Sequence, residues 1–227
     1  MNSKKGILIV MEGACDGIGK STQFKKLYDK LLSEGYDVVS HHFPSYNTYH
    51  GAPVEKYLAG ELGEIKKLSP YFINSLYATD RACAWYSKLK KEYDAGKIIL
   101  LDRYTTSSII YQSSVIEDID ERKKFIDYIE DYEYNKLGIA KPDMVIFLEA
   151  PFDLVTQMRK NRTNYEGNAN DIHEKNIEFM KKVYDNALFV SDYLNWNKIE
   201  SSCNNQMKSI NEIHELIVES VKNKINI

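Results

Sequence analysis

The stretch Gly13-Ala14-Cys15-Asp16-Gly17-Ile18-Gly19-Lys20-Ser21-Thr22 carries the residue types needed to grip phosphate. It follows the apolar run Ile7-Leu8-Ile9-Val10-Met11 and precedes a helical pattern, so its context is strand, tight turn and helix. Small residues let successive backbone N–H groups curl around an anion, and the helix N-terminus adds the positive end of its dipole. In a phosphate-binding loop of this kind Gly17, Ile18, Gly19, Lys20, Ser21 and Thr22 would wrap a nucleoside triphosphate. Lys20 would reach the β- and γ-phosphates, and the Ser21 hydroxyl would hold Mg²⁺. Counted back from Lys20, the segment from Asp16 to Thr22 is in register with the pattern G-x-x-x-x-G-K-[ST]. Gly13, however, stands one residue too early, which implies a one-residue insertion before Asp16. The reading without chemistry is a glycine-rich turn between a core strand and a helix.

Further candidates lie downstream. The apolar run Ile98-Ile99-Leu100-Leu101 ends in Asp102-Arg103-Tyr104. A strand ending in an acid is where a phosphate-loop enzyme keeps the carboxylate that holds Mg²⁺ or its water, and ligands of open α/β sheets gather at the carboxyl ends of strands. The helical pattern over 152–162 carries Arg159 and Arg162 three residues apart and leads into a polar, glycine-containing stretch over 163–170. That is the composition of a mobile lid over phosphates, and equally of a solvated charge cluster. Tyr77 and Arg81 fall one turn apart on a predicted helix. By itself that spacing reads more readily as a core aromatic with a surface arginine beside it. His41 and His42 would point to opposite faces of a strand and so are poor ligands for one metal.

These residues need a scaffold, and the patterning supplies one. Phe24, Leu27, Tyr28, Leu31 and Leu32 recur at helical spacing before Gly35, and residues 36–43 form a strand ended by Pro44. Residues 45–68 are loop-like, with a short helix near 54–58. Ser69-Pro70 is an N-cap with proline at the first helical position, opening a long helix to about Tyr93 before Gly96. A helix over about 119–132, a continuous apolar strand Met144-Val145-Ile146-Phe147-Leu148, a helix starting near Asp171 and a last strand over 196–201 follow. Ser209-x-x-Glu212 is a capping box for a C-terminal amphipathic helix. Strands alternating with helices argue for one α/β domain around a parallel sheet. The 227 residues, 43% hydrophobic and 28% charged, suit a soluble globular protein, and a net charge of −3 offers no global attraction to nucleic acid or anionic membrane. No secretory signal or membrane span is evident, and three scattered cysteines argue for reduced thiols in the cytoplasm.

Several separated segments together resemble the thymidylate kinase family, over nearly the whole length. They are Asp16 to Gln23 in register, the Phe43-Pro44 pair, Tyr77 with Arg81, Asp102-Arg103-Tyr104 running to Tyr111-Gln112, Lys141-Pro142-Asp143 before a strand, and Arg159 and Arg162 with Asp171 and Glu174. The resemblance implies a P-loop kinase with a five-stranded parallel sheet flanked by helices, a single domain over 1–227 with a lid at about 159–172, and a homodimer. It implies transfer of the γ-phosphoryl of ATP to dTMP, giving dTDP and ADP, with Mg²⁺ held by Ser21 and Asp102. It assigns Lys20, Arg103, Arg159, Arg162 and Asp102 to catalysis and Asp16 to the acceptor 3′-hydroxyl. Arg103 meets the acceptor phosphate, Tyr77 stacks on thymine, and Arg81 and Gln112 bond the base edge. Tyr111 closes the space of a ribose 2′-hydroxyl, and Phe43 and Ser108 complete the acceptor site. Gly17 after Asp16, with basic residues in the lid, is similar to the subclass that supplies catalytic arginine from the lid. The chain departs from the family pattern in its inserted loop residue and at Tyr46, where many members have arginine.

Two other functions compete. A deoxynucleoside kinase would share the loop and the Asp-Arg segment but would need a carboxylate base near a 5′-hydroxyl, for which Glu12 is the nominee. A nucleotide-binding relative without catalysis would follow if the inserted residue spoiled the phosphate cradle.

Overall fold

The computed structural model describes residues 5–64, 67–161 and 177–225, with backbone alone at 159–161 and 225. Its main sheet runs β2-β3-β1-β4-β5 and is parallel throughout. β1 (Ile7–Gly13) lies at the centre, pairing Ile7 to Met11 with Ile98 to Asp102 of β3 (Ile98–Asp102). On its other side Ile9 to Gly13 pair with Met144 to Leu148 of β4 (Met144–Glu149). β2 (Val38–His42) and β5 (Asn197–Glu200) form the edges. A central parallel strand is covered on both faces, which is why β1, β3 and β4 read as unbroken apolar runs.

Alternate residues serve opposite layers. Ile9, Met11, Leu100 and Ile146 pack with Leu27 and Leu31 of α1 (Lys20–Ser33) and with Ile213 and Ile217 of α9 (Ile210–Ile225). Leu8, Val10, Ile99 and Leu101 pack against Trp85 and Leu89 on the other face. α1 ends where Gly35 takes φ 87°, a left-handed value that glycine adopts without a Cβ penalty. At the start of α9 the Ser209 N–H donates to Glu212 Oε2 at 2.7 Å and Glu212 N–H donates to Ser209 Oγ at 3.2 Å, the reciprocal capping box. α2 (Ala52–Leu58) lies in the stretch expected to be mostly loop.

Two helices depart from their expected course. The helix opened by Ser69 is regular only over α3 (Pro70–Ala84); a π-helical turn, Trp85–Leu89, then leads to α4 (Lys90–Asp94). The wider turn sets both Trp85 and Leu89 against the sheet. After α5 (Thr105–Ser113), α6 (Ile119–Glu130) likewise passes into a π-helical turn, Asp131–Lys136, which turns Glu133 inward to 0% exposure. Beyond α7 (Phe152–Asn161), α8 (Ile177–Tyr193) and β5, a small antiparallel hairpin pairs β6 (Ser202–Cys203) with β7 (Gln206–Met207). No helix among the described residues is long and apolar enough to cross a membrane.

Leu100 is fully buried at the middle of β3. Leu100→Ala is expected to cost about 2–5 kcal/mol by cavity formation, measured as a lower urea midpoint at unchanged slope.

Candidate active site

The extra residue of the phosphate loop is absorbed by the strand. β1 follows β4 as far as Gly13 opposite Leu148, and the Ala14 N–H donates to Leu148 O at 2.9 Å. Ala14 and Cys15 then drop into the core beside Ile18, at 1% and 8% exposure. A Cβ on Gly13 would stand 2.9 Å from Ile18 Cγ2. Gly17 and Gly19, at φ 92° and 100°, make the turn, and α1 begins at Lys20 with no side chain capping its first turn. Its leading N–H groups are therefore left without a capping side chain at the positive end of the helix dipole, as an anion site requires.

The pairing of Met11 with Asp102 brings the loop beside the end of β3. Lys20 Nζ forms an ion pair with Asp102 Oδ1, and His42 Nδ1 lies 3.1 Å from Asp102 Oδ2. Burial alone would raise the Asp102 carboxyl, but the His42 hydrogen bond and the charges of Lys20 and Arg103 hold it well below the usual carboxylate range. Arg103 adopts φ 65°, uncommon for a side-chain-bearing residue, and its N–H reaches back to Met11 O at 3.2 Å. Its guanidinium pairs with Asp16, stands 3.8 Å from Glu12 Oε1 and lies 5.8 Å over the Tyr111 ring. Tyr111 donates to Asp16 Oδ2 at 3.2 Å; burial, then the Asp16 charge, pushes its phenol well above the ordinary range, so it stays a neutral donor. Asp16 and Tyr111, which the resemblance assigns to the sugar, thus touch each other.

These groups open into a cavity of about 400 Å³ whose lining also includes Phe43, Tyr77, Arg81, Ser108 and Gln112. Arg81 is not the surface arginine that its spacing suggested: it is 1% exposed. Glu133 makes this burial affordable, accepting from Nε at 2.6 Å and from Nη2 at 2.7 Å, while Nη2 also donates to Ser108 Oγ at 2.8 Å. Burial works against the Arg81 charge, and the carboxylate of Glu133 outweighs it. Tyr77 is only half-buried and sits with Arg81 on the cavity wall. Gln112 Oε1 is buried without a hydrogen-bond partner among the described residues, an acceptor on a wall that a ligand donor would satisfy. Ser21 and Thr22 line the same cavity, and Ile18 lies beneath them in the core.

The corner at Phe43-Pro44 is tied to α3 by a buried acid. Asp80, 1% exposed, accepts from the Ser45 N–H at 2.8 Å, and His50 Nδ1 lies 2.6 Å from its other oxygen. His41 Nε2 lies 2.9 Å from Ser45 Oγ, and His42 stacks on Tyr46 with ring centroids 6.1 Å apart. Tyr46, in the place of the absent arginine, therefore lines the cavity as an aromatic wall.

Comparison with known proteins gives the family. The family model described as thymidylate kinase matches residues 11–217. The chain belongs to the thymidylate kinase family. It is similar to thymidylate kinase of Plasmodium falciparum, 29% identical over 97% of this chain and 91% of that one. Thymidylate kinase of Mycobacterium tuberculosis is 29% identical over 78% of this chain and 82% of that protein. Among solved structures, thymidylate kinase from Candida albicans shares the fold with a TM-score of 0.71 at 22% identity, covering 98% of this chain and 93% of that one. The five-stranded parallel sheet is the one this family resemblance implies.

The carboxylates behind the wall differ in how far the sequence marked them, Glu12 being the base nominee of the competing kinase reading. Glu12, fully buried, accepts from Thr106 Oγ1 at 3.0 Å and Ser107 Oγ at 2.5 Å, and is not part of the cavity wall. Glu133 and Asp80, unlike Glu12, carried no sequence signal. Of the expected thymidylate kinase lid, Arg159 contributes only backbone to α7, and Arg162, Asp171 and Glu174 lie outside the described residues.

Burial, helped by the nearby charge of Lys88, lowers the His41 imidazole from its ordinary 6.5 to about 4. Between those values the unfolded chain binds a proton that the folded chain does not, so stability falls as pH is lowered through that window. His41→Gln is expected to lose less stability than the parent protein between pH 7 and 4.5, as read from urea midpoints across the series.

Proposed function

We propose that residues 1–227 act as one domain and that the cavity at the carboxyl ends of β1 and β3 is where the family's reaction occurs, transfer of the γ-phosphoryl of ATP to dTMP giving dTDP and ADP. The observation that carries the reading is convergence: Lys20, Asp102, Arg103 and Asp16 meet around the same cavity as Tyr77, Arg81 and Gln112. The loop from Gly17 to Thr22 holds the donor phosphates on backbone N–H groups and the α1 dipole, and Lys20 turns from Asp102 to the β- and γ-oxygens. Arg103 holds the acceptor phosphate in line, and Arg159 and Arg162 are the further cations that the family resemblance assigns to the transferring group. Positioning and charge neutralisation are what this transfer needs; the acceptor is already an ionised phosphate, so no base is required.

Mg²⁺ fits the donor set. Ser21 offers a hydroxyl and Asp102 a carboxylate held ionised, hard oxygens that leave the remaining positions to water and nucleotide phosphate. No cluster of three or more acidic, histidine or cysteine ligands occurs among the described residues, in keeping with a metal that travels with its nucleotide. Bound there, the ion would neutralise charge on the phosphoryl oxygens.

At the base end Tyr77 stacks on thymine, Arg81 donates to O4 and the orphan oxygen of Gln112 accepts from N3–H, while Asp16 takes the 3′-hydroxyl. The alternative acceptor, a nucleoside 5′-hydroxyl, would need Glu12 as base, and Glu12 is enclosed behind the wall by Thr106 and Ser107. The three cysteines form no disulfide, which suits work in the cytosol. A homodimer is supported by aromatic side chains left exposed on α3 and α6: Tyr71, Phe72 and Tyr128 are 47%, 44% and 39% exposed, and Tyr71 meets Tyr128 edge-on at 4.8 Å.

ADP release with Mg²⁺-ATP over a panel of acceptors tests the assignment. dTMP is expected to be the best acceptor and dUMP weaker by about 1–3 kcal/mol for the missing methyl. dCMP should be poor because its exocyclic amine opposes the Arg81 donor; equal turnover of dCMP would overturn the base reading. Lys20→Ala should abolish transfer with the fold intact, and full activity would remove the loop from the mechanism. Tyr111→Ala should gain on the ribonucleotide relative to dTMP, whereas Tyr111→Phe should not, since the ring rather than the hydroxyl fills the 2′ position. Tyr71→Glu should give a monomer by sedimentation if the aromatic face joins two copies.

A further inference from the structure

We infer that Glu133 is a positioning residue for base recognition: by fixing the guanidinium of Arg81 it decides which pyrimidine the acceptor site takes. The inference rests on the reading above that Arg81 meets the base.

An arginine presents five N–H donors in a rigid fork, and what it recognises depends on which of them are already engaged. Nε and Nη2 of Arg81 are taken by the two oxygens of Glu133 at 2.6 and 2.7 Å, and Nη2 also reaches Ser108 Oγ at 2.8 Å. Nη1 has only a long approach to Tyr104 O at 3.5 Å. The side chain lines the cavity, so the Nη1 edge is the part of the fork left for a ligand acceptor. Glu133 is itself held. Thr105 Oγ1 donates to Oε2 at 2.8 Å, and the π-helical turn Asp131–Lys136 carries the carboxylate into the interior, where it has 0% exposure.

Two consequences follow. The bidentate pair stops rotation of the guanidinium plane, so the Nη1 donors keep one direction. It also neutralises the cation within the wall, so a base is chosen by the direction of its hydrogen bonds and not by a general attraction to charge. A carbonyl such as O4 of thymine meets that edge correctly; the amine of cytosine brings donor against donor. Glu133 lies 52 residues from Arg81 in the chain and does not line the cavity, so it acts only through the arginine.

The test compares Glu133→Gln, Thr105→Val and Arg81→Lys with the parent protein, measuring kcat and KM for dTMP and dCMP, KM for ATP, and Tm. Glu133→Gln keeps the side-chain shape but loses one acceptor and the charge. It is expected to raise KM for dTMP and to reduce the preference for dTMP over dCMP on the order of tenfold to a hundredfold, the cost of a misplaced recognition group, with KM for ATP within about twofold. Thr105→Val should move the same quantities in the same direction by less. A folded Glu133→Gln with unchanged preference, beside an Arg81→Lys that loses it, would overturn the role of Glu133 and leave the base reading standing. An Arg81→Lys that keeps the preference would overturn the base reading and this inference with it. If Glu133→Gln does not fold, Thr105→Val decides: a reduced preference supports the inference, an unchanged one defeats it.

Discussion

The cations proposed to face phosphate and base at the rim of this sheet are each held against a carboxylate: Lys20 against Asp102, Arg103 against Asp16, Arg81 against Glu133. A charge removed from water without a partner costs several kcal/mol, so the basic groups could not be built into a half-enclosed cavity without these acids. The acids consequently carry two duties. Asp102 and Asp16 anchor cations and are also proposed to meet metal and sugar, so the groups that hold the wall together are the ones that handle substrate.

Such pairs form only if distant strand ends arrive together, and the parallel sheet ensures it. All its carboxyl ends lie on one rim, and β1 at the centre sets its following loop between the ends of β3 and β4. Register then does the rest: Met11 opposite Asp102 places the loop next to the acid, and the Arg103 N–H bond to Met11 O supports a left-handed backbone that would cost about 1–3 kcal/mol unsupported. The one-residue insertion leaves this arrangement alone because it is taken up on the β4 side, where Ala14 prolongs the strand pairing and Cys15 is buried.

What was legible in the chain is what is contiguous. The loop from Asp16 to Thr22, the acid ending β3, the capping box at Ser209 and the apolar central strands each announce themselves within a few residues, because local geometry demands particular residue types there. Spacing alone read Arg81 as a surface group, and only the family resemblance put it at the base edge, since its burial depends on Glu133, far away in the chain between Tyr132 and Tyr134. Asp80 with Ser45 and His50 was hidden for the same reason. The hairpin β6–β7 did carry a local signal that went unused: Asn204-Asn205, both at positive φ, is a two-residue turn of the type that closes antiparallel pairs.

The π-helical turn at Asp131–Lys136 bears on how this chain tolerates change in length. An α-helix advances about 100° per residue, and a π-turn holds one residue more than the α-turn it replaces, so it shifts the phase of everything beyond it. Glu133 lies within that turn and faces Arg81, and beyond it the helix runs out to Gly138, where φ is 70° and the chain turns toward β4. Loss of a single residue from this turn would leave composition, hydrophobic pattern and phosphate loop intact, yet it would rotate the carboxylate away from the arginine. At this place residue number, more than residue type, governs whether the Glu133–Arg81 pair forms.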